Sequence, residues 1–260
     1  AMIVRLPKIT ERIFKAAKKL KVIARHGAGY DGIDLDAARE HNVVVLNAPG
    51  ANSISVAELT IFYMLYCSRN FKLVQKTYVD DYYFAKMKTK KNELNGKTLG
   101  LIGIGNIGSL VAKIAALGFD MKVIAYDPYV KKEELPEYIE LVGNREKVFS
   151  DSDYVSLHIP ANKDTINSIG SKEFKLMKKT AFLINTSRGS VIDEHALYDA
   201  LVNGEIAGAA LDVLREEPIS KDNPLLYLDN VLTAPHIGAA TREAAARASL
   251  YCAMGIDDFF

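Results

Sequence analysis

The sequence predicts an α/β protein built on parallel sheets, and three observations predict it. Apolar segments of strand length alternate with amphipathic segments of helix length along most of the 260 residues. One such strand, residues 99–102, runs directly into Gly103-Ile-Gly-Asn-Ile-Gly108 and a helical pattern. Polar and glycine-rich sequence recurs just after the apolar strands, where the ligands of parallel sheets gather.

The first third of the chain sets out the alternation. Residues 2–4 read as a strand, and 10–20 as a helix with Ile13, Ala16, Ala17 and Leu20 inward. Residues 22–24 form the next strand, 34–40 a helix and 43–46 a third strand. The first strand ends in Arg5. The second ends in Arg25-His-Gly-Ala-Gly29, a loop able to turn bare N–H groups towards an anion. The third leads into Asn47-Ala-Pro-Gly-Ala-Asn52. A helix over 53–69 follows, apolar almost all round from 59 to 67, so burial on both sides is expected, between domains or against a second subunit. It is too short to span a bilayer. Residues 71–95 mix aromatics with Lys86, Lys88, Lys90 and Lys91 and read as a solvated linker or a subunit-contact arm.

In the central motif each glycine has a separate task. Gly103 permits the tight turn, Gly105 lets backbone approach a pyrophosphate, and Gly108 lets the helix pack close to its strand. The following helix carries Leu110, Ile114 and Leu117 on one stripe and is expected to stop at Gly118. Its N-terminus offers unpaired N–H groups and a positive dipole end. The next strand, 123–126, ends in Asp127, which can accept both hydroxyls of an adenosine ribose. That acid favours NAD over NADP, whose extra phosphate it would repel. A Rossmann-type dinucleotide site is therefore expected. Lys131 and Lys132 read as the start of a solvated surface segment.

Strands continue at 154–157, 181–185, 207–211 and 231–233, with a helix at 193–203 closed by Gly204. Their ends carry His158-Ile-Pro160, Thr186-Ser-Arg-Gly189, Asp212 and Ala234-Pro-His236. Arg188, Glu217 and His236 are the candidates for chemistry. Moving a hydride to or from a secondary alcohol requires an acid or base for the hydroxyl proton and a cation for a neighbouring carboxylate. Imidazole beside a carboxylate suits the first role and guanidinium the second.

Composition narrows the partners. A formal net charge of +1 gives no electrostatic case for nucleic acid or a membrane surface. The two cysteines, Cys67 and Cys252, are far apart and in no metal-ligand spacing, which fits a reducing compartment, most simply the cytoplasm. No metal site, signal peptide or bilayer-spanning run is recognised.

With these residues in place, the sequence resembles the D-isomer-specific 2-hydroxyacid dehydrogenase family. The resemblance runs through Arg25-His-Gly-Ala-Gly-Tyr-Asp-Gly-Ile-Asp34, Asn47-Ala-Pro, Ser55-Val-Ala-Glu58, Leu94-Asn-Gly-Lys-Thr-Leu-Gly100 and the glycine motif. It continues through His158-Ile-Pro160, Asn185-Thr-Ser-Arg-Gly189, Gly208-Ala-Ala-Leu-Asp-Val213, Glu216-Glu-Pro218 and Pro235-His-Ile-Gly238. It implies two Rossmann-like or flavodoxin-like domains with a cleft between them. Residues 1–69 and 239–260 would form a discontinuous substrate domain, and 70–238 the NAD-binding domain. A homodimer is also implied.

Transferred to matching positions, the resemblance makes Arg188 the substrate-carboxylate arginine, His236 the acid/base and Glu217 its partner. The cofactor would be NAD, held by Gly103, Gly105, Asn106, Ile107, Gly108 and Asp127, with His158, Ile159, Pro160 and Thr165. Thr186, Ser187 and Asp212 would line the nicotinamide side, and Arg188, His236 and Gly238 complete the set. Ala28, Gly29 and Asn52 would join Arg188 and His236 in binding a small 2-hydroxy or 2-oxo acid. The branch of the family that oxidises 3-phosphoglycerate is the nearest in character, with Arg5 and Arg25 gripping the phosphate. The 5–10 loop is one residue shorter than in that branch, and His26 replaces a small residue. Relative to the family, the chain begins a strand and helix or more late and stops before a final return strand. A longer native chain covering the exposed sheet edge is therefore expected. The alternatives are a hydroxypyruvate or glyoxylate reductase and, in a different class, a non-catalytic NAD(H)-sensing protein like the corepressors of this fold.

Overall fold

The alternation resolves into two parallel sheets in the computed structural model, which describes residues 1–260. In chain order the elements are β1 (Met2–Val4), α1 (Glu11–Ala16), β2 (Val22–Arg25), α2 (Leu35–Glu40), β3 (Val44–Leu46), α3 (Ser53–Ser68) and α4 (Phe71–Thr77). Then come β4 (Thr98–Ile102), α5 (Asn106–Phe119), β5 (Lys122–Tyr126), β6 (Ile139–Leu141), α6 (Arg145–Asp151), β7 (Tyr154–Leu157) and α7 (Ser171–Leu176). The last are β8 (Phe182–Asn185), α8 (Glu194–Val202), β9 (Gly208–Leu211), β10 (Val231–Thr233) and α9 (Arg242–Phe259).

The chain divides into two compact units, Ala1–Val56 with Gly238–Phe260, and Ala57–Ile237. In the first unit the sheet order is β1-β2-β3, with Met2 opposite Ile23 and Val22 opposite Val44. Its core is Val4, Phe14, Ile23, Ile33, Ala37 and Ala38. Helix α1 ends at Ala16, four residues earlier than expected; Phe14 is its buried residue, Ile13 and Leu20 pack half-buried against the same core, and Ala16 is exposed. Asp34 caps α2 by accepting from the Ala37 amide at 3.0 Å. Helix α9, which the sequence reading did not assign, starts at the Thr241 cap and packs Ala244, Ala248 and Cys252 inward.

The second unit has the strand order β10-β9-β8-β7-β4-β5-β6, all parallel. Chain order reverses between β4 and β7, the switch point at which open α/β sheets form a crevice. Successive strand residues belong to opposite cores: Val155, Leu183 and Ala209 to one, Tyr154, Ile184 and Ala210 to the other. Both faces of the sheet are therefore covered, which explains its near-continuous apolar strands.

Several expectations change here. Helix α5 continues past Gly118 to Phe119 and is ended by Asp120 in the left-handed conformation, φ +53°. Its buried face is Gly108, Val111, Ala112 and Ala115, while Leu117 is exposed. Close approach to the sheet selects small residues, so the larger leucine lies outside. Within the single chain one face of helix α3 is open, with Phe62 51% exposed. Its stretch from Ala57 to Cys67 packs with Leu99, Leu101 and Tyr154, so the compact units part at Val56 rather than after residue 69. Residues 71–95 are not simply a solvated linker. They begin with α4, whose Lys72 Nζ donates to the Leu228 and Val231 carbonyls at 2.7 and 2.6 Å beside the edge strand β10. A π-helical turn follows at Phe84–Lys88. Strand β6 and helices α6 and α7 were also unassigned from sequence.

The loop leaving β8 is the tightest join near the sheet's carboxyl edge. A Cβ on Gly189 would lie 2.0 Å from the Leu214 carbonyl carbon and 2.5 Å from the Arg215 nitrogen. Gly189→Ala is expected to lower stability by about 1–3 kcal/mol through overpacking against backbone. Gly143→Ala, where the new methyl meets nothing within 4 Å, should leave the thermal midpoint unchanged. Equal midpoints for the two variants would refute this account.

Candidate active site

The glycine turn lies at the switch point. The Gly103 amide donates to the Tyr126 carbonyl at 2.9 Å, tying the end of β4 to β5. The His158 amide donates to the Ile102 carbonyl at 2.8 Å, tying β7 to β4. Gly103 has φ +94°, and a Cβ there would lie 2.5 Å from the His158 carbonyl oxygen. A Cβ on Gly108 would lie 2.4 Å from the Gly103 carbonyl oxygen. Two glycines are thus demanded by backbone contact. At Gly105 an added Cβ would meet nothing within 4 Å, and no side chain caps the start of α5 at Asn106 and Ile107. Open space before an uncapped fourteen-residue helix is what a pyrophosphate requires.

Asp127 is positioned beside this turn. Its Oδ2 accepts from the Ile104 amide at 3.0 Å and its Oδ1 from the Tyr129 amide at 2.9 Å. Both oxygens are oriented by backbone, and each retains capacity to accept a hydroxyl. The turn, the uncapped helix and the oriented acid together fit an adenine dinucleotide.

His158 closes the other side. Its Nε2 lies 3.0 Å from Ser156 Oγ, while its Nδ1 is out of contact with solvent and has no partner. Burial lowers its pKa from 6.5 to about 4. Ile159 and Pro160 follow, and Thr165 Oγ1 donates to the Pro160 carbonyl at 2.6 Å, folding that loop back.

The three candidates for chemistry stand at the carboxyl ends of β8, after β9 and at the end of β10, three neighbouring strands. His236 Nδ1 lies 2.8 Å from Glu217 Oε2, with both side chains a little under half exposed. His236 has φ +55°. Asn185 builds the Arg188 turn. Its Oδ1 accepts from the Ser187 amide and hydroxyl at 3.0 and 2.8 Å, and its Nδ2 donates to the Arg188 carbonyl at 2.9 Å. The Arg188 guanidinium donates to the Ser187 carbonyl at 2.7 Å. Thr186 Oγ1 meets Thr60 Oγ1 at 3.0 Å. Buried Asp212 accepts from Tyr63 Oη at 3.2 Å and from the Ile237 amide at 2.9 Å. Tyr63, Thr60 and Asn185 therefore support the site without having been singled out. Asn185 opens the Asn185–Gly189 motif, whereas Tyr63 and Thr60 read from sequence as core residues of an apolar helix.

The remaining sequence-derived candidates lie in the first unit. Arg5 is exposed, without an intramolecular partner. Arg25 instead donates through Nε to the Gly29 carbonyl at 3.0 Å and through Nη1 to the Val4 carbonyl at 3.4 Å. The Ala28 carbonyl accepts from Asn47 Nδ2 at 2.7 Å. Asn52 Oδ1 is buried without a partner. The Gly238 carbonyl accepts from Ser55 Oγ at 2.6 Å. No group of His, Cys, Asp and Glu side chains has the arrangement of a metal site, and no helix is long and apolar enough to cross a membrane.

A family model described as "D-isomer specific 2-hydroxyacid dehydrogenase, NAD binding domain" matches residues 61–238. D-3-phosphoglycerate dehydrogenase of Methanocaldococcus jannaschii is 48% identical over 238 residues, covering 91% of this chain and 45% of the relative. The chain thus spans less than half the length of that relative. Hydroxypyruvate reductase of Thermotoga maritima is 45% identical over 246 residues, covering 94% of this chain and 78% of the relative. Among solved structures, NAD⁺-bound 3-phosphoglycerate dehydrogenase of Entamoeba histolytica superposes with a TM-score of 0.84. It is 35% identical, covering 99% of this chain and 78% of that one.

The His158 shift has a measurable sign. Between pH 6.5 and about 4 the unfolded chain holds a proton on this imidazole that the folded chain does not. Stability is therefore lost as pH falls through that window. His158→Asn is expected to flatten the fall in thermal midpoint between pH 7 and 4.5. Parallel profiles for the two proteins would contradict the burial argument.

Proposed function

The chain belongs to the D-isomer-specific 2-hydroxyacid dehydrogenase family, and from that premise we propose an NAD-dependent oxidoreductase interconverting a D-2-hydroxyacid and its 2-oxoacid. The observation that carries this reading is the 2.8 Å pairing of His236 Nδ1 with Glu217 Oε2, at the sheet edge that also bears Arg188. NAD, when bound, supplies the hydride acceptor. Gly105 and the first amides of α5 bind its pyrophosphate, and Asp127 binds its adenosine ribose. Glu217 accepts a hydrogen bond from His236 Nδ1, which leaves Nε2 as the nitrogen that exchanges a proton with substrate. In oxidation Nε2 takes the hydroxyl proton, and Glu217 stabilises the resulting imidazolium. In reduction the same nitrogen returns that proton. Arg188 offers a planar fork to the substrate carboxylate.

The proposed substrate is 3-phosphoglycerate, oxidised to 3-phosphohydroxypyruvate, with Arg5 and Arg25 binding its phosphate. The names borne by relatives and the exposed guanidinium of Arg5 support this. A second reading, hydroxypyruvate or glyoxylate reduction, draws support from Arg25, whose Nε and Nη1 are already committed to the Gly29 and Val4 carbonyls. A homodimer would cover the apolar residues Phe62, Tyr78, Val79 and Tyr83, all exposed here.

His236→Ala is expected to lower kcat by about 10²–10⁴-fold with NADH affinity kept, as read by fluorescence titration. Turnover near the parental rate would remove His236 from the chemistry. Complete inactivity of the unaltered protein on 2-oxoacids, with tight NADH binding, would instead favour the NAD(H)-sensing alternative. Substrate profiling separates the two acids. Arg5→Ala should raise KM for 3-phosphohydroxypyruvate about tenfold or more, the loss of one charged hydrogen bond, and leave KM for glyoxylate unaltered. Equal effects on both would withdraw the phosphate assignment.

A further inference from the structure

We propose that His26 and Ser249 form a clamp holding the 25–29 loop in the shape that receives the substrate carboxylate, an inference that rests on the dehydrogenase reading above. The loop has its carbonyls tied inward. The Arg25 carbonyl accepts from the Gly27 amide at 2.8 Å and from Cys252 Sγ at 3.4 Å. The Gly27 carbonyl accepts from the Ala48 amide at 3.0 Å, that of Ala28 from Asn47, and that of Gly29 from Arg25. The amides of Ala28 and Gly29 donate to nothing within the chain. Carbonyls engaged and neighbouring N–H groups free is the pattern of a backbone nest, which binds anions.

Such a nest works only while its turn is held, and Gly27 at φ +144° is a conformation that few residues adopt. The loop is fixed to β1 by the His26 amide, which donates to the Val4 carbonyl at 2.8 Å. From α9 two side chains one turn apart reach it, Ser249 and Cys252. The thiol is a weak donor. The 2.9 Å contact between His26 Nε2 and Ser249 Oγ is the stronger tie, and it joins residues 223 apart in sequence. His26 itself need not touch substrate: it is a positioning residue, and its absence frees the residue immediately before Gly27.

Oxalate, a rigid mimic of a 2-oxoacid, is the probe, titrated calorimetrically into the full chain saturated with NADH. His26→Ala and Ser249→Ala are each expected to weaken oxalate about fivefold to tenfold, as loss of one neutral hydrogen bond predicts. KM for the 2-oxoacid should rise by the same factor, with kcat and NADH affinity unchanged. The double variant should be no worse than either single one. His26→Gln, which keeps a polar group within reach of Ser249, should restore most of the affinity. Parental oxalate affinity in His26→Ala, additive losses in the double variant, or an equal loss of NADH affinity would each overturn the clamp. Oxalate binding that depends on His26 in a protein turning over no 2-oxoacid would uphold the clamp and reject the dehydrogenase reading.

Discussion

One buried carboxylate organises the carboxyl edge of the larger sheet. Asp212 is 1% exposed, and transferring such a charge out of water costs several kcal/mol unless donors replace it. Tyr63 Oη and the Ile237 amide are two of those donors. Burial, together with the neighbouring negative charge, raises the Tyr63 pKa well above its ordinary value, so the phenol remains a donor throughout the working pH range. The backbone of Asp212 adds two ties: its amide donates to the Asn185 carbonyl at 2.9 Å and its carbonyl accepts from the His236 amide at 2.8 Å. Helix α3, the end of β8 and the end of β10 are thereby referred to one residue after β9. The elements bearing Arg188 and His236 share this anchor, so their strand ends cannot drift independently.

Free N–H groups are presented in two physically different ways. At the glycine turn they come from a helix start, where the first amides lack partners by geometry and the peptide dipoles add to the field. In the 25–29 loop no helix contributes. There the amides stand free while nearly every neighbouring carbonyl is claimed, by the Ala48 amide, by Asn47, by Arg25 and by α9. The first device needs only a strand, three glycines and a helix, and is written in one contiguous stretch, residues 98–119. The second depends on contacts from across a unit, and therefore rests on side chains that no local motif includes.

That difference explains how much could be read before the structure. Strands β1, β7 and β10 fall where short, mostly apolar runs bounded by polar or glycine-rich sequence put them. The glycine turn was legible because its residues are contiguous, and the His236–Glu217 pair because the family resemblance joined two positions nineteen apart. Helix α9 was not legible. Its buried stripe is Ala244, Ala248 and Cys252, small residues among charged ones, a weak signal compared with a leucine stripe. Strand β6 has the charged Glu140 in the middle of its three residues, so no apolar run marks it. On α5 the expected stripe holds for Leu110 and Ile114, which pack half-buried against the core, but not for exposed Leu117, because helix–sheet proximity at Gly108 favours Val111 and Ala115 at the buried centre. Tyr63–Asp212 spans 149 residues and exists only through topology.

The same network accounts for the backbone of His236. A non-glycine residue at φ +55° is uncommon, although histidine tolerates the left-handed region better than most. Strain of this kind costs about 1–3 kcal/mol, and for a histidine the lower end applies. Three hydrogen bonds oppose it: the His236 amide to the Asp212 carbonyl, the next amide to the Asp212 carboxylate, and Nδ1 to Glu217. At about 1 kcal/mol each, and more for those to charged oxygens, they exceed the strain. The conformation is therefore over-determined. A relaxed, extended residue at this position would send the chain in another direction and separate the imidazole from Glu217. Holding Nδ1 against a carboxylate orients the ring and leaves Nε2 as the nitrogen without an intramolecular partner, so the strained backbone is what sets the direction of that nitrogen.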